Sequence, residues 1–145
     1  MFETRFDRDV TVRDIMSKNP ATLDTDEKVN VAEHLIKFGS IRHLPVLTNG
    51  QVVGVVSQRD LFRSALISDN QDAPGTGAKP NRKNTEIAVK EIMSTPAVTI
   101  SPERSVKEAA RKMMEKRIGC LPVVEGDELL GLITETDILQ YVVEY

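Results

Sequence analysis

The sequence contains very little cysteine and no long apolar run. Its 145 residues include one cysteine, Cys120, which excludes an intrachain disulfide and fits a reducing compartment. No apolar stretch approaches the roughly 20 residues that span a membrane, and residues 1–9 lack the apolar centre of a signal peptide. We therefore expect a cytoplasmic protein that has no membrane partner.

Catalytic and metal-binding residues do not occur at characteristic spacings. His34, His43 and Cys120 lie too far apart in sequence to form a compact metal-ligand set. Neither a Ser/His/Asp or Cys/His set nor a Gly-rich phosphate loop is recognisable. We therefore expect no enzyme, no catalytic residue, no metal and no required cofactor. The net charge of −3 argues against nucleic acid as a partner, because a general nucleic-acid binder must neutralise many phosphates.

The most informative feature is an internal repeat. The stretch 54–61 (Gly-Val-Val-Ser-Gln-Arg-Asp-Leu) returns as 131–138 (Gly-Leu-Ile-Thr-Glu-Thr-Asp-Ile), at an offset of 77 residues because 131 − 54 and 138 − 61 are both 77. The same offset relates Val12 to Val89. This duplication predicts two units of about 55 residues, each in β-α-β-β-α order. Because one copy alone would leave apolar surface in water, we expect the copies to pack about a pseudo-twofold axis.

Composition divides the chain into four segments. Residues 68–87 hold no apolar period and nearly every residue type that breaks structure, which predicts a flexible linker. The linker separates a first motif, residues 11–67, from a second motif, residues 88–145. Residues 1–10 form an N-terminal segment before the first motif.

Local signals predict the elements of each motif. In the first motif we expect an amphipathic helix that Gly39 ends as a left-handed cap, then a hairpin whose turn is Asn49-Gly50. The last helix of that motif is expected from about Gln58 to about Leu66. In the second motif, residues 101–103 (Ser-Pro-Glu) are expected to begin the long helix.

The junction before the last helix of each motif admits two interpretations. Ser57 and Thr134 fit helix N-caps, with Asp60 and Asp137 three residues later at the positive helix end. The same atoms would also suit a ligand. Free N–H groups at a helix start bind phosphate, a hydroxyl adds a hydrogen bond, and a carboxylate accepts two hydrogen bonds from the vicinal hydroxyls of a ribose.

Taken together and in order, these motifs resemble the CBS domain family. The resemblance lies in Asp-Ile-Met-Ser at 14–17 with Pro20 and Thr22, in Ile-Arg-His-Leu-Pro-Val at 41–46, and in the duplicated Gly-x-x-Ser/Thr-x-x-Asp. A tandem of two CBS motifs is a Bateman module. The resemblance implies an α+β fold of two β-α-β-β-α motifs, a regulatory role without catalytic activity, and pairing into disc-like homodimers.

The resemblance also implies two ligand-binding clefts between the motifs, each bordered by both copies. The first cleft would use Thr22, Ile41, Arg42, His43, Thr134 and Asp137. The second would use Thr99, Ile118, Gly119, Cys120, Ser57, Arg59 and Asp60. Each cleft would then hold one arginine at a position where the other copy has none. We therefore expect the clefts to differ in affinity or in preferred phosphate number.

The leading functional hypothesis is a sensor that binds an adenosine-containing ligand and shifts the relative pose of its motifs. AMP, ADP or ATP are the expected ligands, and S-adenosylmethionine or NAD would present the same adenine and ribose. We expect a homodimer that passes its output to an effector protein in trans. The alternative is a purely structural dimerisation module without a small-molecule ligand, in which Asp60 and Asp137 cap helices and do nothing else.

Overall fold

The computed structural model describes residues 10–69 and 83–144, which divide into two compact units. The central unit comprises residues 21–69 and 83–97, and the terminal unit comprises residues 10–20 and 98–144. Residues 1–9 and most of the predicted linker, residues 70–82, lie outside the described residues. The flexibility expected of that linker therefore stays a prediction.

The regular structure of the described residues consists of short strands and helices. In chain order these are α1 (Val12–Ile15), β1 (Ser17–Lys18), β2 (Leu23–Asp24), α2 (Val29–Gly39), β3 (His43–Thr48), β4 (Gln51–Ser57), α3 (Gln58–Asp69), a 3₁₀ turn (Val89–Glu91), α4 (Val106–Lys116), β5 (Cys120–Glu125), β6 (Glu128–Thr134) and α5 (Glu135–Glu144).

The central unit is built on a three-stranded sheet in the order β2-β3-β4. β2 runs parallel to β3, and β3 runs antiparallel to β4. The predicted Asn49-Gly50 turn joins β3 to β4, and its φ values of 51° and 81° suit the type I′ turn of two-residue hairpins. Leu44 and Val46 of β3 are fully buried, as is Val29 of α2, so the sheet and α2 share one core.

The terminal unit repeats this architecture with the sheet order β1-β6-β5. Here Ile100 bridges Val123 in parallel, as Leu23 pairs with Val46 in the central unit. α2 and α4 begin and end 77 residues apart, because 106 − 29 and 116 − 39 are both 77, and the strands of the two hairpins do the same. The predicted α+β fold with a duplicated motif is confirmed. The packing of the copies about a pseudo-twofold axis stays a prediction.

The segment that opens each repeat belongs to the unit formed by the other repeat. α1 and β1 begin the first repeat in sequence, yet β1 pairs with β6 of the second repeat through Ser17 and Leu132. In the same way, the 3₁₀ turn begins the second repeat but belongs to the central unit, where Ser94 bridges Val55 of β4. We call residues 10–20 and 87–97 the exchanged segments.

Gly131 and Gly54 let the exchanged segments lie directly on the host strands. A Cβ atom at Gly131 would lie 2.6 Å from the carbonyl oxygen of Ser17 and 2.8 Å from Met16 Sδ. At Gly54 it would lie 2.8 Å from the carbonyl oxygen of Ser94. Real Cβ atoms essentially never approach so closely, so the glycine of each Gly-x-x-Ser/Thr-x-x-Asp motif has a packing role.

Two predicted helix boundaries were wrong. α2 continues through Gly39, and the left-handed residue is Ser40, with φ of 54°; Arg117, with φ of 55°, ends α4 in the same conformation. α4 begins at Val106 instead of at residues 101–103. The reason is that Ser105 is the N-cap, since its hydroxyl accepts a hydrogen bond of 3.0 Å from the Glu108 N–H.

Truncating Val12 or Val89 will test which unit each exchanged segment stabilises. Val12 is fully buried in the core of the terminal unit and Val89 in that of the central unit. Val12→Ala is therefore expected to cost about 1–3 kcal/mol and to raise amide hydrogen exchange in residues 98–144. Val89→Ala should raise exchange in residues 21–69 instead. Faster exchange confined to residues 21–69 in Val12→Ala would contradict the exchange of segments.

Candidate functional site

The start of α3 is organised by a reciprocal pair of hydrogen bonds between Ser57 and Asp60. The Ser57 N–H donates to Asp60 Oδ2 at 2.8 Å, and the Asp60 N–H donates to Ser57 Oγ at 3.1 Å. Thr134 and Asp137 form the same pair at the start of α5, at 2.9 and 3.2 Å. This is the capping-box arrangement, so the structural interpretation of both motifs holds.

The capping box uses one oxygen of each aspartate carboxylate, and the other oxygen has no donor among the described residues. Each carboxylate accepts its hydrogen bond at Oδ2, and among the described residues nothing donates to Oδ1 of Asp60 or Asp137. Asp60 as a whole is 6% exposed, yet no buried polar side-chain atom of the described residues lacks a partner. Oδ1 of Asp60 therefore reaches solvent. A carboxylate oxygen held in place by its neighbour can accept further donors from a ligand.

The first residues of each hairpin lie beside these helix starts. His43 is paired in register with Ser57, and the Arg42 carbonyl accepts a hydrogen bond from the Gln58 N–H at 2.9 Å. In the terminal unit, Cys120 is paired with Thr134, and the equivalent hydrogen bond runs from the Glu135 N–H to the Gly119 carbonyl at 3.0 Å. Each unit thus brings the backbone before its hairpin against its own Ser/Thr–Asp turn.

The remaining predicted site residues lie in the same two units. Ile41 packs against the core of the central unit and Ile118 against that of the terminal unit. Thr22 directly precedes β2 of the central unit, and Thr99 precedes Ile100, which bridges β5. The central unit therefore holds Thr22, Ile41, Arg42, His43, Ser57, Arg59 and Asp60, and the terminal unit holds Thr99, Ile118, Gly119, Cys120, Thr134 and Asp137. The sequence-based pairing of one repeat's strands with the other repeat's aspartate stays a prediction.

Lys112 is a residue beside Thr99 that the sequence did not single out. Its Nζ donates a hydrogen bond of 2.6 Å to the Thr99 carbonyl oxygen, across 13 residues of chain. The equivalent position in the central unit is Leu35, because 112 − 77 is 35. The sequence did hold a signal for this contact, because Lys112 replaces an apolar residue of the other repeat. This ammonium makes the surroundings of Thr99 different from those of Thr22.

The two arginines predicted to bind ligand belong to the same unit. Arg42 and Arg59 are exposed, and among the described residues neither forms an ion pair. Cys120 is 5% exposed and makes polar contact within the protein, as expected of a small buried thiol. In the described part of the chain, no group of three His, Cys, Asp or Glu side chains could hold a metal ion. None of the described helices is long and apolar enough to cross a membrane.

Comparison with known proteins agrees with this duplicated architecture. The family model of the CBS domain matches twice, at residues 12–66 and 89–144. The chain belongs to the CBS domain family. Both matches begin within the exchanged segments and end within α3 or α5. The predicted tandem of CBS motifs is therefore confirmed.

Several proteins are similar to this CBS pair over nearly its whole length. The CBS domain-containing protein DDB_G0289609 of Dictyostelium discoideum is 32% identical over 137 residues, which are 93% of this chain and 92% of that protein. The crystal structure of AcuB from Vibrio cholerae is 33% identical, covers 94% of both chains and has a TM-score of 0.80. The CBS domain pair of protein MJ0100 is 26% identical, covers 94% of this chain and 98% of its own, and has a TM-score of 0.76.

The MJ0100 structure contains 5′-methylthioadenosine and S-adenosyl-L-methionine. Some curated relatives are much longer than this chain, which spans 33%, 22% and 24% of three of them. Two of those three longer relatives carry the names of enzymes. CBS motifs thus occur both in short pairs and as parts of larger proteins.

Proposed function

We propose that this CBS pair is a non-catalytic regulatory module that binds adenosine-containing ligands at its Ser/Thr–Asp turns. The observation that supports the proposal most is that the capping box fixes Oδ2 of each aspartate, whereas Oδ1 has no donor among residues 10–69 and 83–144. The adenosine-containing ligands of the MJ0100 pair support the ligand class. AMP, ADP, ATP, S-adenosylmethionine and NAD all remain candidates within that class.

The chemistry of the turn suits the sugar and phosphate of a nucleotide. The free oxygen of Asp60 would accept hydrogen bonds from the vicinal hydroxyls of a ribose, and the capping box would hold that oxygen in place. The first N–H groups of α3 would face a phosphate. Adenine would lie in an apolar slot bordered by the backbone of residues 41–43 or 118–120. Binding would regulate an output if it favoured one conformation over another.

A second candidate function is a structural dimerisation module. It is supported by large apolar side chains that are exposed at equivalent positions, Phe62 at 66% and Leu139 at 64%, and by Met114 at 80%. Where such side chains form a contiguous patch, they are typical of a surface that associates with another protein. The sensor proposal includes the same homodimer, a cytoplasmic location and an effector protein in trans. The two functions differ in whether a ligand binds.

Replacing Asp60 by alanine and by asparagine will separate capping from ligand binding. Asp60→Ala removes the cap and is expected to cost about 0.5–2 kcal/mol of stability as well as ligand affinity. Asp60→Asn retains one oxygen to accept from the Ser57 N–H but presents an amide to the ribose. We therefore expect Asp60→Asn to keep Tm close to that of the unchanged protein while it lowers affinity about tenfold or more.

Calorimetry and thermal shift with AMP, adenosine and S-adenosylmethionine will measure both effects. A ligand at 100 times its Kd should stabilise the folded state by about 2.7 kcal/mol. The matched control is Asp14→Asn, because Asp14 also accepts a hydrogen bond from the N–H three residues before it, that of Thr11 at 2.9 Å, but is not a predicted site residue. If no adenosine-containing ligand shifts Tm, the sensor proposal fails and the dimerisation module becomes the better account.

A further inference from the structure

The two Ser/Thr–Asp turns are equivalent in backbone but differ in surrounding charge. At the start of α3, the central unit carries Arg42 and Arg59. At the equivalent positions the terminal unit carries Gly119 and Thr136. Because the Arg42 carbonyl bonds the Gln58 N–H at 2.9 Å, residue 42 lies against the first turn of α3, where residue 59 is also found. Two exposed arginines therefore belong to the chain around one turn, and neither has a counterpart at the other.

Other charged residues also distinguish the two turns. Gln58, the first residue of α3, corresponds to Glu135 in α5, which adds a negative charge to the terminal unit. Arg117 is a cation near that turn, two residues before Gly119, and Glu135 offsets it. The ammonium of Lys112 is already bonded to the Thr99 carbonyl at 2.6 Å. Apart from the capping aspartates, these positions carry +2 in the central unit, from two arginines. They carry +1 in the terminal unit, because Glu135 cancels one of the two cations Lys112 and Arg117.

Asp60 supplies an independent sign that the charged turn receives a ligand. It is 6% exposed, and its Oδ1 takes no donor from the described residues although the side chain is held rigidly through Oδ2. The unit that carries this acceptor also carries the two exposed arginines, Arg42 and Arg59.

We propose that the two units are specialised: the central unit binds phosphorylated adenosine ligands, and the terminal unit binds adenosine ligands that carry no phosphate. This inference rests on the proposed function, since it assigns a ligand class to each of its turns. Arg42 and Arg59 are the specificity-determining residues. They bind the phosphate by charge-assisted hydrogen bonds, while Asp60 accepts from the ribose. The terminal turn has Gly119 and Thr136 in place of the two arginines, so a phosphate would gain no guanidinium contact from these positions.

Reciprocal exchange of residues between the turns will test this specialisation in the intact chain. Arg42→Gly/Arg59→Thr gives the central unit the residues of the terminal unit, and Gly119→Arg/Thr136→Arg does the reverse. Calorimetry with AMP and with adenosine is expected to show two sites in the unchanged protein, one of which prefers AMP at least tenfold. The first double variant should lose that preference and keep its affinity for adenosine. The second should give both sites a preference for AMP.

Two additional measurements make the result specific to charge. Raising the ionic strength from about 0.05 to about 0.5 M should weaken AMP binding at the central site and leave adenosine binding unchanged, because salt screens exposed charges. Calorimetry of Asp60→Asn with AMP and with adenosine should show weaker binding at the site that prefers AMP. This result would identify that site as the one in the central unit. Thermal unfolding of Arg42→Gly/Arg59→Thr should match that of the unchanged protein, since both arginines are exposed.

The possible failures can be told apart. An unchanged preference for AMP in Arg42→Gly/Arg59→Thr would overturn the specialisation while leaving the sensor proposal intact. Loss of adenosine and AMP affinity together in that variant would also overturn it, because the arginines would then act on the fold of the site. Binding of neither AMP nor adenosine to the unchanged protein would overturn the proposed function itself, and this inference with it.

Discussion

Gly131→Ala is expected to destabilise the terminal unit by about 1–3 kcal/mol, and Gly54→Ala to do the same to the central unit. In each case a methyl group would enter space held by a backbone carbonyl, at 2.6 Å for Ser17 and 2.8 Å for Ser94. A backbone atom cannot rotate away, so the exchanged segment has to move off the host strand. Chemical denaturation followed by circular dichroism will measure the loss of stability.

Gly39→Ala is the matched control for this pair. Gly39 is the last residue of α2, and a Cβ there would meet nothing closer than Ile41 Cγ1 at 3.4 Å. Alanine favours helix over glycine by up to about 1 kcal/mol, so this variant should be unchanged or slightly more stable. If Gly131→Ala were as stable as Gly39→Ala, the close approach of β1 to β6 would not be present in solution.

A fragment of residues 21–97 is expected to fold, whereas a fragment of residues 11–67 is not. The first contains the whole central unit, including Ile87 and Val89, which are 9% and 0% exposed. The second is the repeat as the sequence delimits it, and it lacks both side chains. Each contributes about 1.5–3 kcal/mol by burial, against the 5–15 kcal/mol that typically separates folded from unfolded domains.

Cooperative thermal unfolding and amide dispersion in NMR spectra will distinguish the two fragments. The longer fragment should show a single sigmoidal transition, and the shorter one a gradual change without a baseline. A third fragment, residues 21–97 with Val89→Asp, serves as the control for length, because it should behave like the shorter fragment. A folded fragment 11–67 would show that α1 and β1 can stabilise their own repeat.

Much of the fold was predictable because the repeat carries local signals twice. The Asn49-Gly50 turn specifies its hairpin by conformation alone, since few residues besides asparagine and glycine tolerate positive φ at both positions. The capping box of Ser57 and Asp60 was one of two interpretations that the sequence allowed, and its geometry is local as well. Signals of this kind depend on residues within one turn of each other.

The exchange of segments could not be predicted, because the two copies are interchangeable in sequence. Val12, Met16 and Ser17 are repeated identically as Val89, Met93 and Ser94, 77 residues later. Either segment would present the same side chains to either sheet, so hydrophobic pattern cannot decide between them. The glycines at 54 and 131 indicate that something approaches each strand closely, but not which segment it is.

The sequence named the candidate site residues, and their binding of a ligand stays a prediction. The structure adds that Arg42 and Arg59 lie in one unit, where His43 is in register with Ser57. That register follows from the two-residue turn and was available in principle. The hydrogen bond from Lys112 to Thr99 was not, because it depends on the direction in which a long side chain leaves α4.

The terminal unit is formed by two separate stretches of chain, and this affects how the protein folds during synthesis. The central unit is contiguous, so every residue it needs has been translated once residue 97 has left the ribosome. Residues 10–20 have no sheet to join until residues 98–144 follow, which takes a few seconds at ordinary rates of synthesis. During that interval Val12 and Met16 are apolar side chains without a partner strand, and this nascent stretch is where a chaperone would bind.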